Sequence, residues 1–276
     1  MKTILITGAS SGIGRNTAIY LLNKGFKVVA AARSLEKMND LKKLGCITVH
    51  MDVSSSDSIK EAFTQIQTEV ETIDILINNA GYTQNGFLEE LPIDKLRYQF
   101  EVNVFGLLNV TQMVLPMMRQ QKKGLIINIG SAGGDFTSAG SSAYASSKHA
   151  LESITDGLRQ EVSHFGIDVV IIKPGGVETD FIHNSSPLFP DPIPNSPYLK
   201  MRENFLRTLN SILDSKNSSF PILKPSEVTD AIYSNILKPR TRVRVGRTAK
   251  MIPLIKLILS DKAFDKMIMT QLGLLK

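Results

Sequence analysis

A doubly wound parallel α/β sheet is the fold class this 276-residue sequence predicts, and three observations carry it. Short Ile- and Val-rich runs alternate with longer segments of helical spacing, as βαβ units require. The runs are almost continuously apolar, which suits parallel strands covered on both faces. The first run ends in a glycine-rich turn that opens directly into a helical segment. Composition agrees: 42% hydrophobic and 21% charged residues describe a globular chain rather than a disordered one. The length suits one domain around a wide sheet, large enough to need no disulfide or metal staple.

Taken in order, the elements follow from local chemistry. Lys2–Thr7 reads as a strand, and Ile13–Lys24 as a helix closed by Gly25 at the left-handed C′ position. Strand Lys27–Ala32, helix Leu35–Leu44 and strand Ile47–Met51 come next. Helix Ser56–Glu71 has Ser56 and Asp57 as its candidate N-caps. Strand Ile73–Asn78, helix Asp94–Gln121, strand Leu125–Ile129 and helix Ser142–Phe165 follow, with Gly166 closing the last. Ile167–Lys173 is the sixth strand. Right-handed crossovers place the helices on both faces of the sheet. The pattern then changes: Asn184–Leu199 holds five prolines and reads as a loop, and Lys200–Leu213 returns to helical spacing. Helix Lys224–Leu237 and strand Thr241–Val245 complete the domain. The expected organisation is one domain over 1–247, with 181–222 inserted as a substrate lid and 248–276 as a basic extension.

Ligands of such sheets bind beyond the carboxyl ends of the strands, so the residues there carry the functional signal. The first strand runs into Thr7-Gly8-Ala9-Ser10-Ser11-Gly12-Ile13-Gly14. Glycines in this turn let backbone N–H groups approach a pyrophosphate at the helix N-terminus, which places Gly8, Ser10, Ser11, Gly12, Ile13 and Gly14 against a dinucleotide. The second strand ends in Ala32-Arg33-Ser34. A carboxylate here would bind the 2′-hydroxyl of NAD; Arg33 instead matches a 2′-phosphate, so the expected cofactor is NADP(H). Asp52 and Val53 follow the third strand, where Asp52 either hydrogen-bonds adenine or simply makes a turn. Asn79, Ala80 and Gly81 follow the fourth, letting the backbone pass close to a ribose. Ser131 follows the fifth. Thirteen residues on stands Tyr144, with Lys148 one helical turn further, on the same face. An ammonium near a phenol favours phenolate, which would make Tyr144 an acid/base near neutral pH. His50, His149, His164 and His183 have no ligand spacing, and no metal is expected.

These motifs resemble the short-chain dehydrogenase/reductase family in its compact form, a Rossmann-type fold, over about Lys2 to Thr179. The resemblance rests on T-G-x-x-x-G-I-G at Thr7–Gly14, N-N-A-G at Asn78–Gly81, Asn103 in Val102-Asn-Val-Phe-Gly, Ser131, Y-x-x-x-K at Tyr144–Lys148, and Pro174-Gly175 followed by Val177 and Thr179. It implies that Tyr144 gives a proton to a carbonyl oxygen during reduction. It further implies that Lys148 holds the nicotinamide ribose and depresses the Tyr144 pKa, that Ser131 binds the substrate oxygen, and that Asn103 holds a water leading to Lys148. Pro174, Gly175, Val177 and Thr179 would line the nicotinamide, with Thr179 on the carboxamide. A homodimer or homotetramer through the two long helices is also implied. More loosely, Ala31–Ser34 and the Arg244–Lys250 segment resemble members acting on lipid-like molecules, such as 17β-hydroxysteroid and retinol dehydrogenases and acyl-dihydroxyacetone-phosphate reductase. Phe181, Leu188, Phe189, Ile193, Phe205 and Leu206 offer apolar surface for such a substrate.

Charge is uneven. Lys238–Lys276 holds ten Lys and Arg against two Asp and Glu, a net of +8, which leaves −2 for the rest of the +6 chain. The apolar runs Met251–Leu259 and Phe264–Leu275 lie in this basic tail. The sequence favours their packing on the body or a partner subunit; the other reading is peripheral contact with an anionic membrane. Nothing accompanies the charge that would mark nucleic-acid binding. A lone cysteine, Cys46, read as buried and inert, and the absence of a long apolar run or signal peptide lead us to expect a cytoplasmic protein. Two competing functions are an NADP(H)-binding sensor without catalysis and a sugar-nucleotide epimerase. The four residues Asn103, Ser131, Tyr144 and Lys148 argue against the first, the G-x-x-x-G-x-G spacing and chain length against the second.

Overall fold

The computed structural model describes residues 1–179, 181, 188–213, 222–271 and 273–275. A seven-stranded parallel sheet in the order β3-β2-β1-β4-β5-β6-β7 forms its centre. The strands are β1 Thr3–Thr7, β2 Lys27–Ala32, β3 Ile47–His50, β4 Ile75–Asn78, β5 Gly124–Ile129, β6 Ile167–Pro174 and β7 Arg242–Val245. The helices are α1 Gly12–Asn23, α2 Asn39–Lys43, α3 Ser56–Glu69, α4 Ile93–Phe100, α5 Leu107–Gln121, α6 Ser142–Val162, α7 Leu199–Leu213, α8 Pro225–Leu237, α9 Arg247–Ile258 and α10 Asp261–Gln271. The doubly wound α/β prediction therefore holds.

Helices cover both faces of the sheet with apolar cores. Along β1, Ile4 and Ile6 point to one core with Leu21 of α1 and Val228, Ile232 and Ile236 of α8. Leu5 points to the other core, with Ile59 and Phe63 of α3, Val110 and Val114 of α5 and Leu158 of α6. That alternation explains why the strands read as unbroken apolar runs. Strand order reverses direction between β1 and β4, so their carboxyl ends open the crevice where ligands of this architecture bind.

Several local expectations change. Ser55, not Ser56 or Asp57, caps α3: its backbone is extended and its hydroxyl accepts from the Ser58 amide at 3.2 Å. Ser56 and Asp57 then fall in the first turn, where the Asp57 charge still complements the helix dipole. The 35–44 segment divides into a 3-10 turn at Glu36–Met38 and the short α2. The long segment 94–121 is helical throughout but contains a π turn, Glu101–Gly106, between α4 and α5. Gly25 and Gly166 do close their helices with positive φ, 81° and 74°. Cys46 is buried, and burial pushes its thiol up to about 11, so it stays protonated and unreactive.

Candidate active site

The carboxyl ends of β1 and β4 flank the crevice. Gly8, at φ 66°, lies so close to Ala80 that a Cβ there would stand 2.7 Å from the Ala80 Cα. Gly14 is equally enclosed, with the Asn79 amide and the Gly8 carbonyl each 2.5 Å from where a Cβ would be. Asn79 donates to the Thr7 and Gly8 carbonyls at 3.0 and 3.1 Å, and Thr7 Oγ1 accepts from the Asn79 and Ala80 amides. The β1 turn and the Asn78–Gly81 segment are thus one unit. Gly12, at φ 54°, faces Thr179, whose Cγ2 would be 3.0 Å from an added Cβ. Thr179 is held there because the chain after β6 pairs with Leu223: the Leu223 amide donates to the Gly176 carbonyl, and the Glu178 amide donates to the Leu223 carbonyl, both at 2.8 Å.

The N-terminus of α1 has no side-chain cap and no acid in its first turn. Its amides around Ser11, Gly12 and Ile13 therefore suit an anion, the donor set a pyrophosphate needs. Ser10 lies in the same turn. Arg33 is exposed at the end of β2 and donates to the Tyr98 hydroxyl at 3.2 Å. Asp52 makes the turn that the sequence also allowed, accepting from the Ser54 amide and hydroxyl at 2.9 and 2.7 Å. Val53 presents its carbonyl to Gly106, where an added Cβ would sit 2.1 Å from it. Gly175 lies against Thr248, at the start of α9.

Ser131 follows β5 and caps the short turn Ala132–Gly134, accepting from the Gly133 amide at 3.0 Å. Its hydroxyl also hydrogen-bonds Tyr144. Burial pushes the Tyr144 phenol up, and the Ser131 bond opposes that shift. Lys148 is buried and donates to the Ile129 carbonyl at 2.9 Å; its ammonium lies 5.8 Å from the centre of the Tyr144 ring. Burial pushes Lys148 down to about 8, while the Glu152 carboxylate pulls it up. The Lys148 ammonium is turned to a backbone carbonyl, and desolvation dominates both groups.

Asn103 is placed in the π turn and is fully buried. Its amide accepts from Tyr82 N at 2.8 Å and donates to the Tyr82 carbonyl and to Ser147 Oγ at 2.9 and 3.1 Å. These bonds tie the side chain to the loop after β4 and to α6. Gln99, one turn earlier, does parallel work, accepting from Gln84 N at 2.6 Å and donating to the Tyr82 carbonyl at 2.8 Å. Ser147 bonds back to the Tyr144 carbonyl at 2.7 Å. Sequence reading missed Gln99 and Ser147. The signal available was the i,i+4 spacing of two amides, Gln99 and Asn103, on one helix face.

The apolar residues expected of the insertion divide. Phe181 lies 5.9 Å from the Tyr144 ring, at the mouth of the site. Phe189 and Phe205 are buried with Phe87, and Leu206 packs against them. Ile193 is half exposed. The Leu188 carbonyl accepts from Gln84, tying its segment to the loop after β4. Residues 182–187 and 214–221 lie outside the described residues, as do His183 and part of the proline-rich loop. Among the described residues no cluster of His, Cys, Asp and Glu could hold a metal ion.

A glycine-rich strand-to-helix turn beside a Ser, Tyr and Lys constellation, on a doubly wound sheet, defines a Rossmann-type oxidoreductase. The family model described as short chain dehydrogenase matches residues 2–187, and the chain belongs to that family. It is 40% identical over 177 residues to the probable short-chain type dehydrogenase/reductase VdlC of Helicobacter pylori, spanning 64% of this chain and 65% of that protein. It is 33% identical to the uncharacterized oxidoreductase YusZ of Bacillus subtilis over 98% of both chains. The 3-ketodihydrosphingosine reductase of Bacteroides thetaiotaomicron is 38% identical over 66% of each chain. Among solved structures, a short-chain dehydrogenase from Streptomyces avermitilis superposes with a TM-score of 0.80 at 30% identity, covering 99% of this chain and 96% of the other. The actinorhodin polyketide ketoreductase with NADPH gives 0.71 at 27% identity, covering 88% and 95%.

Proposed function

We propose that the protein is an NADP(H)-dependent reductase of an apolar, lipid-like carbonyl compound. The single observation that carries the reading is the meeting of Ser131, Tyr144 and Lys148 beside the glycine-rich turn, with Arg33 where an NAD enzyme would place a carboxylate. When bound, the reduced nicotinamide supplies the hydride. Gly8, Ser10, Ser11, Gly12, Ile13 and Gly14 would hold the pyrophosphate, Arg33 the 2′-phosphate, and Asp52 and Val53 the adenine. Asn79, Ala80, Gly81 and Lys148 would hold the riboses, and Pro174, Gly175, Val177 and Thr179 the nicotinamide. Tyr144 donates its proton to the substrate oxygen as charge develops, and Ser131 donates a hydrogen bond to the same oxygen. Burial keeps the Tyr144 phenol protonated at neutral pH, so it meets the substrate as the acid that reduction needs. Phe181 beside Tyr144 supports an apolar substrate. The likeness to a 3-ketodihydrosphingosine reductase points the same way. Asn103 acts through the loop it anchors, and the protein works as a homo-oligomer in the cytoplasm.

The test is titration with NADPH and NADH, then NADPH oxidation against ketones of increasing chain length, 3-ketodihydrosphingosine among them. Tyr144→Phe should lower turnover by about 10²- to 10⁴-fold while NADPH binding stays nearly intact. Loss of NADPH binding in that variant would remove the role given to Tyr144. Arg33→Asp should shift the NADPH-to-NADH preference at least about ten-fold toward NADH; an unchanged ratio would sink the reading of Arg33.

A further inference from the structure

The two tail helices bury only one side. Ile252 and Ile255 of α9 and Phe264 and Ile268 of α10 pack together on Phe136, a residue of the loop that follows Ser131. Asn204 of the lid helix α7 donates to the Gly273 carbonyl at 2.8 Å, just past α10. The tail thus bridges the loop of the candidate active site and the lid. The opposite side of α9 is bare. Met251, Leu254, Leu257 and Ile258 are 43%, 57%, 84% and 81% exposed. At 100° per residue these four fall within one arc of about 120°, so they make a single apolar stripe. Arg247 and Lys250 fall in the same arc at its N-terminal end, and both are exposed. Lys262 and Lys266, also exposed, follow on α10. Among the described residues, none of these four cations has an acidic ion-pair partner. The acids on the two helices are Asp261 and Asp265.

We infer that α9 is a peripheral docking helix for anionic lipid. An apolar stripe this exposed costs free energy in water, and burying it in the acyl boundary of a bilayer recovers that cost. The basic rim then lies at the level of the headgroups, where anionic lipid concentrates positive side chains. A second copy fits less well, because an isologous contact lays a net-basic face on itself. In such a pose the lid and the loop carrying Ser131, both tied to the tail, stand near the membrane surface. No helix of the described residues is long and apolar enough to cross a membrane, so the contact is an in-plane one.

Flotation of the full chain with vesicles tests this. One set is phosphatidylcholine alone, the other phosphatidylcholine with about a quarter phosphatidylglycerol. The protein should float with the anionic vesicles at least about ten-fold better than with the neutral ones, and less in about 0.5 M salt, where screening is strong. The pair Leu257→Glu with Ile258→Glu should abolish flotation, and Arg247→Glu with Lys250→Glu should weaken it by a similar factor. Both pairs lie on the exposed side, and thermal unfolding checks that each variant is folded; if one is not, the other decides. Failure of the unmodified protein to float with either vesicle overturns the proposal, as does unchanged flotation of the folded variants. A smaller particle mass for the Leu257/Ile258 variant in light scattering also overturns it, assigning the stripe to a second copy of the chain.

Discussion

Tyr144 and Lys148 stand one turn apart on α6, and burial acts on them in opposite directions: the phenol rises and the ammonium falls to about 8. For Lys148 the unfolded pKa is 10.5, so above about pH 8 the unfolded chain holds a proton that the folded one has released. Stability contributed by this group therefore rises with pH between those two values, the opposite of a paired lysine. Between about pH 7 and pH 10, stability of the unmodified protein should gain roughly 2–3 kcal/mol relative to Lys148→Met. Urea denaturation of both proteins at the two pH values measures it, and a gap that does not change with pH would show that the ammonium is not desolvated. The pair itself was legible in the sequence, because i,i+4 spacing is a local property. Ser147 and the burial of Gln99 were not, since a buried polar side chain and an exposed one have the same letter. Only their partners across the fold, Tyr82, Gln84 and Asn103, reveal the difference.

At the scale of the element, the π turn Glu101–Gly106 is the informative feature. One extra residue in the turn carries the helix past the Val53 carbonyl, and Gly106 is where the two backbones nearly touch. The same turn presents the Asn103 amide to the loop after β4. Gly106→Ala would push a methyl against a backbone oxygen that cannot swing away. The expected cost is about 1–3 kcal/mol, with a parallel fall in turnover as the Asn103 anchor shifts. Thermal unfolding and kcat together check this, and a stable, fully active variant would remove the steric argument. Hydrophobic periodicity predicted the whole 94–121 helix, yet could not register a π turn inside it, because the eight residues of α4 before it are too few to fix the phase of the apolar stripe. The α3 cap missed by one position for a similar reason: Ser55, Ser56 and Asp57 are all good caps, and backbone conformation chose between them.

Across the whole molecule, an ionic network joins the sheet to the site. Lys173 of β6, only 1% exposed at its side chain, lies 2.6 Å from Asp135 and 2.9 Å from Glu152. Arg242 of β7 holds Glu152 and Asp156 of α6 at 3.1 and 2.8 Å, and Arg244 holds Asp135 at 3.3 Å. Burial raises the Asp135 carboxyl, but the paired cations of Lys173 and Arg244 more than undo it. The network ties two strands to the loop after Ser131 and to the helix of Tyr144 and Lys148. Lys173→Ala would leave two carboxylates facing each other without their shared cation, at an expected cost of about 3–5 kcal/mol in urea denaturation. Asp135→Asn in the same background should recover part of it by removing one of the charges. If the single variant is as stable as the unmodified protein, Lys173 is not the centre of the network.

The sequence by itself determined the strands and helices, the glycine turn at the first strand, the Arg33 end of the second, and the Ser131, Tyr144 and Lys148 constellation. All of these are short-range: apolar period, glycine placement and spacing along one helix carry them without knowledge of the fold. Tertiary structure alone decided the rest. It brought Thr179 against Gly12 and Lys173 between Asp135 and Glu152, turned Phe189 and Phe205 inward, and left Leu257 and Ile258 bare. Each depends on which segments distant in the chain become neighbours, and burial, which sets the energy of a charge or an apolar side chain, is a property of those neighbours and not of the residue.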